Sequence, residues 1–232
     1  MIIALILSGG TGQRLGSDIP KQYIDVDGRP VISYSIESLF RHERIDAIHI
    51  VAEPVWQERI REWLSADGFD QKFRGFSVPG ENRQLSILHG LEDIRMYAED
   101  TDYVFIHDAA RPLLQERLIT DCIDHVSGHD GVLPVLPMKD TVYSSTDGKT
   151  ISALLKRSEI YAGQAPELFC LGVYHEANLR LLPERILQVN GSTEPAVMAG
   201  LDIVMIPGDE ENFKITTKED LERFRKIKEM KR

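Results

Sequence analysis

The stretch Leu7-Ser8-Gly9-Gly10-Thr11-Gly12-Gln13-Arg14-Leu15-Gly16, followed by Pro20-Lys21-Gln22, brings glycines and two cations close together. Glycines placed directly after a buried strand let backbone N–H groups crowd around an anion with no Cβ in the way. Arg14 and Lys21 add fixed positive charge to the same concavity. The pattern is neither a P-loop nor a complete dinucleotide fingerprint, because Gly10-Thr11-Gly12 lacks the third glycine. The glycines alone also fit a tight strand-to-helix turn; with the cations, phosphate binding is the better reading. Asp108 is a second candidate. It ends an apolar run at the point where open α/β sheets place ligands, although an Asp after a strand also serves as a helix N-cap.

These residues need a scaffold. Ile2 to Leu7 is a continuous apolar run, as expected of a strand buried on both faces. Helical spacing follows over 31–40, then a strand over 45–51 and a helix over 56–64. The alternation continues with a strand over 74–78, a helix over 84–97, a strand over 103–107, a helix over 114–125 and a strand over 131–135. That rhythm predicts a parallel sheet with crossover helices. Between Thr141 and Leu154, two β-prone runs flank Asp147-Gly148, which predicts a hairpin. The pattern then returns to helix over 168–182, strand over 202–206 and a closing helix over 218–230 with Thr217 as N-cap. The expectation is one α/β domain over 1–232, a Rossmann-like, mostly parallel sheet with flanking helices and a β-hairpin arm at about 139–160.

Composition narrows the partners. With 27 Lys+Arg against 37 Asp+Glu the net charge is −10, which argues against a nucleic acid as the main partner. Two cysteines are too few for a disulfide framework and suit a reducing, cytoplasmic setting. The start MIIALILSGG has no basic n-region and meets glycines too soon for a signal peptide or a membrane span. The sum of charges does not oppose a local phosphate site built from a few placed cations.

Ser8 to Gly16 with Asp18-Ile19-Pro20-Lys21-Gln22-Tyr23 resembles the start of the small nucleotidylyltransferases typified by 2-C-methyl-D-erythritol 4-phosphate cytidylyltransferase. The resemblance recurs at Pro79 to Ser86, His107 to Pro112, Pro137 to Thr141, Arg157, Gln164 to Phe169 and Asn212 to Thr217. It implies transfer of CMP from CTP to an acceptor phosphate with release of pyrophosphate. On that footing the triphosphate lies on the backbone of Ser8, Gly9, Gly10, Thr11 and Gly12, with Arg14, Lys21 and Lys214 as the catalytic cations. Asp108 holds Mg²⁺; Arg111 props its loop, and His107 is a packed residue rather than a general base. Gly80, Arg83 and Ser86 read the base. Thr141 and Arg157, on an arm exchanged within a homodimer, bind the acceptor phosphate.

Two departures bear on the acceptor. The family's Gln-Thr-Pro is Gln164-Ala165-Pro166 here, and its Thr-Asp pair is replaced by Asn190-Gly191, followed by Ser192-Thr193-Glu194-Pro195. Glu194 can pair with an ammonium, and the segment resembles the branch that acts on 2-aminoethylphosphonate. That phosphonate is therefore the expected acceptor, contacted by Ser192, Thr193 and Glu194, with methylerythritol 4-phosphate and ribitol 5-phosphate as alternatives. Ser192 or Thr193 also fits a helix N-cap. A non-catalytic nucleotide-binding regulator is the competing reading from another class; the joint presence of Arg14, Lys21, Asp108 and Lys214 speaks against it.

Overall fold

The fold is described from a computed structural model that covers residues 1–10, 16 and 19–230. In chain order the elements are β1 (Ile2–Leu7), β2 (Asp25–Val26), β3 (Arg29–Pro30), α1 (Val31–Arg41), β4 (Ala47–Val51), α2 (Pro54–Ala66) and β5 (Phe73–Ser77). There follow α3 (Arg83–Ile94), β6 (Tyr103–Asp108), α4 (Glu116–His125), β7 (Gly131–Pro137), β8 (Tyr143–Ser144) and β9 (Ala153–Leu154). The chain closes with β10 (Tyr161–Gly163), β11 (Glu167–Cys170), α5 (Leu171–Leu179), α6 (Glu194–Met198), β12 (Ile203–Pro207) and α7 (Lys218–Met230).

Among the described residues, eight strands form one sheet in the order β10-β7-β11-β6-β1-β4-β5, with β12 also paired to β7. The pairs β1–β4, β1–β6, β4–β5 and β7–β12 are parallel. Alternation along β1 explains its unbroken apolar run. Ala4 and Ile6 face a cluster with α1, α2 and α4, while Ile3 and Leu5 face another with α3, α5 and α6. Both faces are covered, so every position of the strand interior is apolar.

The expected helix over 168–182 begins later, and its first residues are strand β11, antiparallel to β6 and β7. Leu168 and Phe169 are wholly buried between those neighbours, and their side chains carry no period that separates strand from helix. Gly131 makes room for them: a Cβ there would meet the Leu168 carbonyl oxygen and the Phe169 ring at 2.7 Å. The arm is present as the antiparallel pair β8–β9. Asp147-Gly148 lies within its long connecting loop, where Asp147 Oδ1 accepts the N–H groups of Lys149 and Thr150 at 2.8 Å. Thr217 caps α7, its Oγ1 accepting the Asp220 N–H at 3.2 Å.

Candidate functional site

The carboxyl ends of β1, β4 and β6 open onto a cavity of about 620 Å³. Its wall includes Gly9, Gly10, Lys21, Gly80, Arg83, Ser86, Asp108 and Lys214. These expected residues come from five separate stretches of sequence, and the sheet brings them to one place. Thr11, Gly12 and Arg14 lie outside the described residues.

Ser8 differs in role from its neighbours. Its N–H donates to the Val51 carbonyl at 2.8 Å and its hydroxyl to Tyr23 Oη at 2.8 Å. That N–H is therefore spent on the sheet, and the described turn offers an anion the backbone of Gly9 and Gly10. Gln22 secures this turn by donating Nε2 to the carbonyls of Ser8 and Gly10, both at 2.7 Å. Tyr23 stacks on Trp56 with ring centroids 4.2 Å apart, and burial pushes its phenol up to about 12. The turn also presses on the opposite wall, since a Cβ on Gly9 would lie 2.4 Å from Pro79 Cγ.

That opposite wall is the Pro79–Ser86 segment. Asn82 caps α3, its Oδ1 accepting the Leu85 N–H at 2.8 Å. Ser86 Oγ accepts the Gly80 N–H at 3.0 Å and donates to the Asn82 carbonyl at 2.8 Å. The hydroxyl proton is thereby committed to the loop, and what Ser86 keeps for a ligand is a lone pair. Gly80 is required by close approach: a Cβ would sit 2.4 Å from Leu85 Cβ.

Asp108 anchors the floor. Its Oδ1 lies 3.0 Å from Arg83 Nη2, and its Oδ2 lies 3.0 Å from Lys214 Nζ and 3.3 Å from Arg111 Nε. Burial alone would raise its pKa, yet Arg83, Lys214 and Arg111 outweigh it and hold the carboxyl well below the usual carboxylate range. Asp108 is not a helix cap, because α4 starts after Gln115. Arg111 braces the loop by donating Nη1 to the Asn212 carbonyl at 2.7 Å. His107 is fully buried, with Nε2 3.3 Å from the Arg111 carbonyl, and burial lowers its pKa to about 4.

Within one chain, the remaining expected residues lie elsewhere. Thr141 and Arg157 are exposed on the arm, where Arg157 Nη1 donates to the Lys139 carbonyl at 2.8 Å. Ser192 is buried and turns its hydroxyl onto Glu167. Thr193 stands at the N-cap position of α6 without making a side-chain cap. Glu194 instead turns its carboxylate back to accept the N–H groups of Asn190 at 2.9 Å and Gly191 at 3.4 Å.

Sequence reasoning did not single out Gln22, Glu53, Asn82 or Thr216, which also line the cavity. An Asn ahead of a helical run is a readable capping signal; Gln22 and Thr216 lie inside motifs that carry the resemblance without a role of their own, and nothing local marks Glu53. Glu167 was missed too. It is a buried carboxylate whose pKa burial raises, with Arg83 and the Ser192 hydroxyl offsetting that only in part.

The 2-C-methyl-D-erythritol 4-phosphate cytidylyltransferase (IspD) family model matches residues 2–229. A protein of that name from Rubrobacter xylanophilus is 35% identical, over 94% of this chain and 91% of its own length. A ribitol-5-phosphate cytidylyltransferase from Lacticaseibacillus paracasei is 28% identical over 97% of each chain. In fold, the chain is similar to the 4-diphosphocytidyl-2C-methyl-D-erythritol synthase of Anaerococcus prevotii, with a TM-score of 0.83, 24% identity, and coverage of 98% of this chain and 96% of that one. No helix among the described residues is long and apolar enough to cross a membrane.

Proposed function

The chain belongs to the 2-C-methyl-D-erythritol 4-phosphate cytidylyltransferase family and is a CTP-dependent cytidylyltransferase acting on a phosphorylated acceptor, and we propose that this acceptor is a small polyol phosphate, methylerythritol 4-phosphate first. One arrangement carries the reading of the site: Arg83 and Lys214 stand on Asp108 inside a cavity bounded by the Gly9-Gly10 turn. In the proposed reaction an acceptor phosphate oxygen attacks the α-phosphorus of CTP. The bond from that phosphorus to the bridging oxygen breaks, and pyrophosphate leaves with the electron pair.

Such a displacement asks little covalent chemistry of the protein and much charge placement. Lys21, Lys214 and Arg14 counter the charge of the triphosphate, and Gly9 and Gly10 leave room for its oxygens. Gly80, Arg83 and Ser86 form the base wall. Asp108 would hold Mg²⁺. Among the described residues Oδ1 has a single ion-pair partner, and no group of three or more His, Cys, Asp or Glu could hold a metal unaided. A lone carboxylate suits an ion that keeps waters and takes its other ligands from phosphates. When bound, Mg²⁺ supplies charge neutralisation at the phosphate oxygens.

The aminophosphonate expectation leaned on Glu194 as an ammonium partner. Its use in accepting the Asn190 and Gly191 N–H groups accounts for it locally. The relatives' names favour a polyol phosphate, and the full-length ribitol-5-phosphate relative makes ribitol 5-phosphate the second reading. Thr141 and Arg157 are assigned to the acceptor phosphate of a partner subunit's site, in a homodimer with exchanged arms; their exposure on either side of the β8–β9 hairpin supports this. The free cysteines Cys122 and Cys170 support a reducing, cytoplasmic setting.

Incubation with CTP, Mg²⁺ and each of the three acceptors, followed by pyrophosphate measurement, tests the reading. Release with methylerythritol 4-phosphate is expected. Release confined to 2-aminoethylphosphonate would overturn the choice of acceptor.

A further inference from the structure

Gln164 follows directly on β10, is 4% exposed, and takes no part in the proposed chemistry. Its Nε2 donates to the Asp209 carbonyl at 2.8 Å and to the Asn212 carbonyl at 3.4 Å. Its Oε1 accepts the Asp209 N–H at 3.0 Å. The side-chain amide therefore pairs with Asp209 in both directions, as a neighbouring strand would. Gly208 permits the approach, because a Cβ there would lie 3.1 Å from Gln164 Oε1 and 3.2 Å from the Val135 carbonyl oxygen. Beyond Asp209, Asn212 donates Nδ2 to the Ala165 carbonyl at 2.8 Å, and the Ile215 N–H donates to the Ala110 carbonyl at 2.8 Å. Lys214 lies between these two fastenings, with Nζ 3.0 Å from Asp108 Oδ2.

We infer that Gln164 is a positioning residue that fixes the 208–215 loop and so aims Lys214 at the nucleotide site. A neutral amide suits the position because it donates and accepts at once, whereas a carboxylate only accepts. A carboxylate at 164 would set its lone pairs against the Asp209 carbonyl. The same fastening reaches the arm. Its outgoing strand β10 runs straight into Gln164, and Lys139 at its start forms an ion pair with Glu210. Both ends of the arm are thus tied to the loop that carries Lys214, and the seating of the arm bears on the aim of the lysine.

The inference rests on the role proposed for Lys214, so Lys214→Ala is measured beside Gln164→Glu and Gln164→Met. Pyrophosphate release gives kcat and the KM for CTP with whichever acceptor the unaltered enzyme uses, and circular dichroism melts report folding. Both Gln164 variants are expected to lose about tenfold or more in kcat, with the KM for CTP changed by less than about threefold. The Gln164→Glu deficit is expected to narrow as pH falls, because a protonated carboxyl regains the donor. Gln164→Met carries the test if the buried charge prevents Gln164→Glu from folding. Wild-type kcat in the Gln164 variants beside an inactive Lys214→Ala would overturn this inference and leave the proposed function standing. So would kcat and KM shifting together in step with the melting temperature. Full turnover by Lys214→Ala would remove the premise and the inference together.

Discussion

Lys214 Nζ and Arg111 Nε share one oxygen of Asp108, at 3.0 and 3.3 Å, while Arg83 holds the other at 3.0 Å. Asp108 is 6% exposed, so these cations are preorganised around a buried charge rather than gathered by the ligand. Loss of Lys214 leaves Asp108 with Arg83 and Arg111, and the fold is expected to survive. A preorganised charge at a reacting phosphorus contributes several kcal/mol, so Lys214→Ala should lower kcat by about 10²-fold or more. CTP titration should find binding retained. Asp108→Asn removes the shared anion from three cations and should cost about 3 kcal/mol of stability by denaturant titration. A Lys214→Ala enzyme with unaltered kcat would sink the catalytic assignment.

Gly9 on one wall of the cavity faces Pro79 on the other with no room for a side chain between them. A Cβ on Gly9 would meet Pro79 Cγ at 2.4 Å and Cβ at 2.6 Å, and a proline ring cannot rotate away. Gly9→Ala should therefore force the walls apart, raising the KM for CTP by about tenfold and lowering the melting temperature by several degrees. Gly10 has nothing within 4 Å of its Cβ position. Gly10→Ala should keep the melting temperature of the unaltered protein, which makes it the control. Equal melting temperatures for the two variants would count against the steric argument.

What could be read in advance follows from where each signal resides. β1 was legible because its two faces enter different clusters and every interior residue is apolar. α1 was legible because Ile32, Ile36 and Leu39 repeat at helical spacing and are buried together. β11 was not, since Leu168 and Phe169 run without a break into Leu171 of α5, and only pairing with β6 and β7 makes them strand. The cluster around Asp108 joins positions far apart in the chain, so resemblance to a family located it where periodicity could not. The bond from Ser8 N–H to Val51 is likewise non-local, which is why a donor expected to face phosphate turned out to be spent. Gln164 and Glu167 act through partners distant in sequence, and their residue types alone do not reveal it.

Ser86 should discriminate between pyrimidines by the direction of its hydroxyl. Its proton goes to the Asn82 carbonyl, and one lone pair receives the Gly80 N–H. The remaining lone pair can accept from the exocyclic amine of cytosine but repels the O4 of uracil. A site with a committed acceptor rejects the wrong partner because polar groups are left unpaired. Ser86→Ala should raise the KM for CTP by about tenfold and shrink the preference for CTP over UTP. Pyrophosphate release with each nucleotide measures it, and an undiminished preference would assign the selection elsewhere.

Four buried histidines, His42, His49, His107 and His175, have pKa values lowered by burial, His49 and His107 the furthest. His49 and His107 are 3% and 0% exposed, and burial lowers each from 6.5 to about 4. Between those values the unfolded chain takes up protons that the folded chain refuses, so stability falls as pH falls. The loss begins near 6.5, is complete near 4, and runs at about 1.4 kcal/mol per pH unit for each of these two. Asp108 acts in the same direction but lower, because its depressed pKa costs stability only once pH drops through the ordinary carboxylate range. Denaturant titrations at pH 7, 6 and 5 should therefore show a falling unfolding free energy. His49→Gln is expected to make the slope shallower within this window, by no more than about 1.4 kcal/mol per pH unit. A slope unchanged by His49→Gln would mean that this imidazole titrates in the folded chain as it does in the unfolded one.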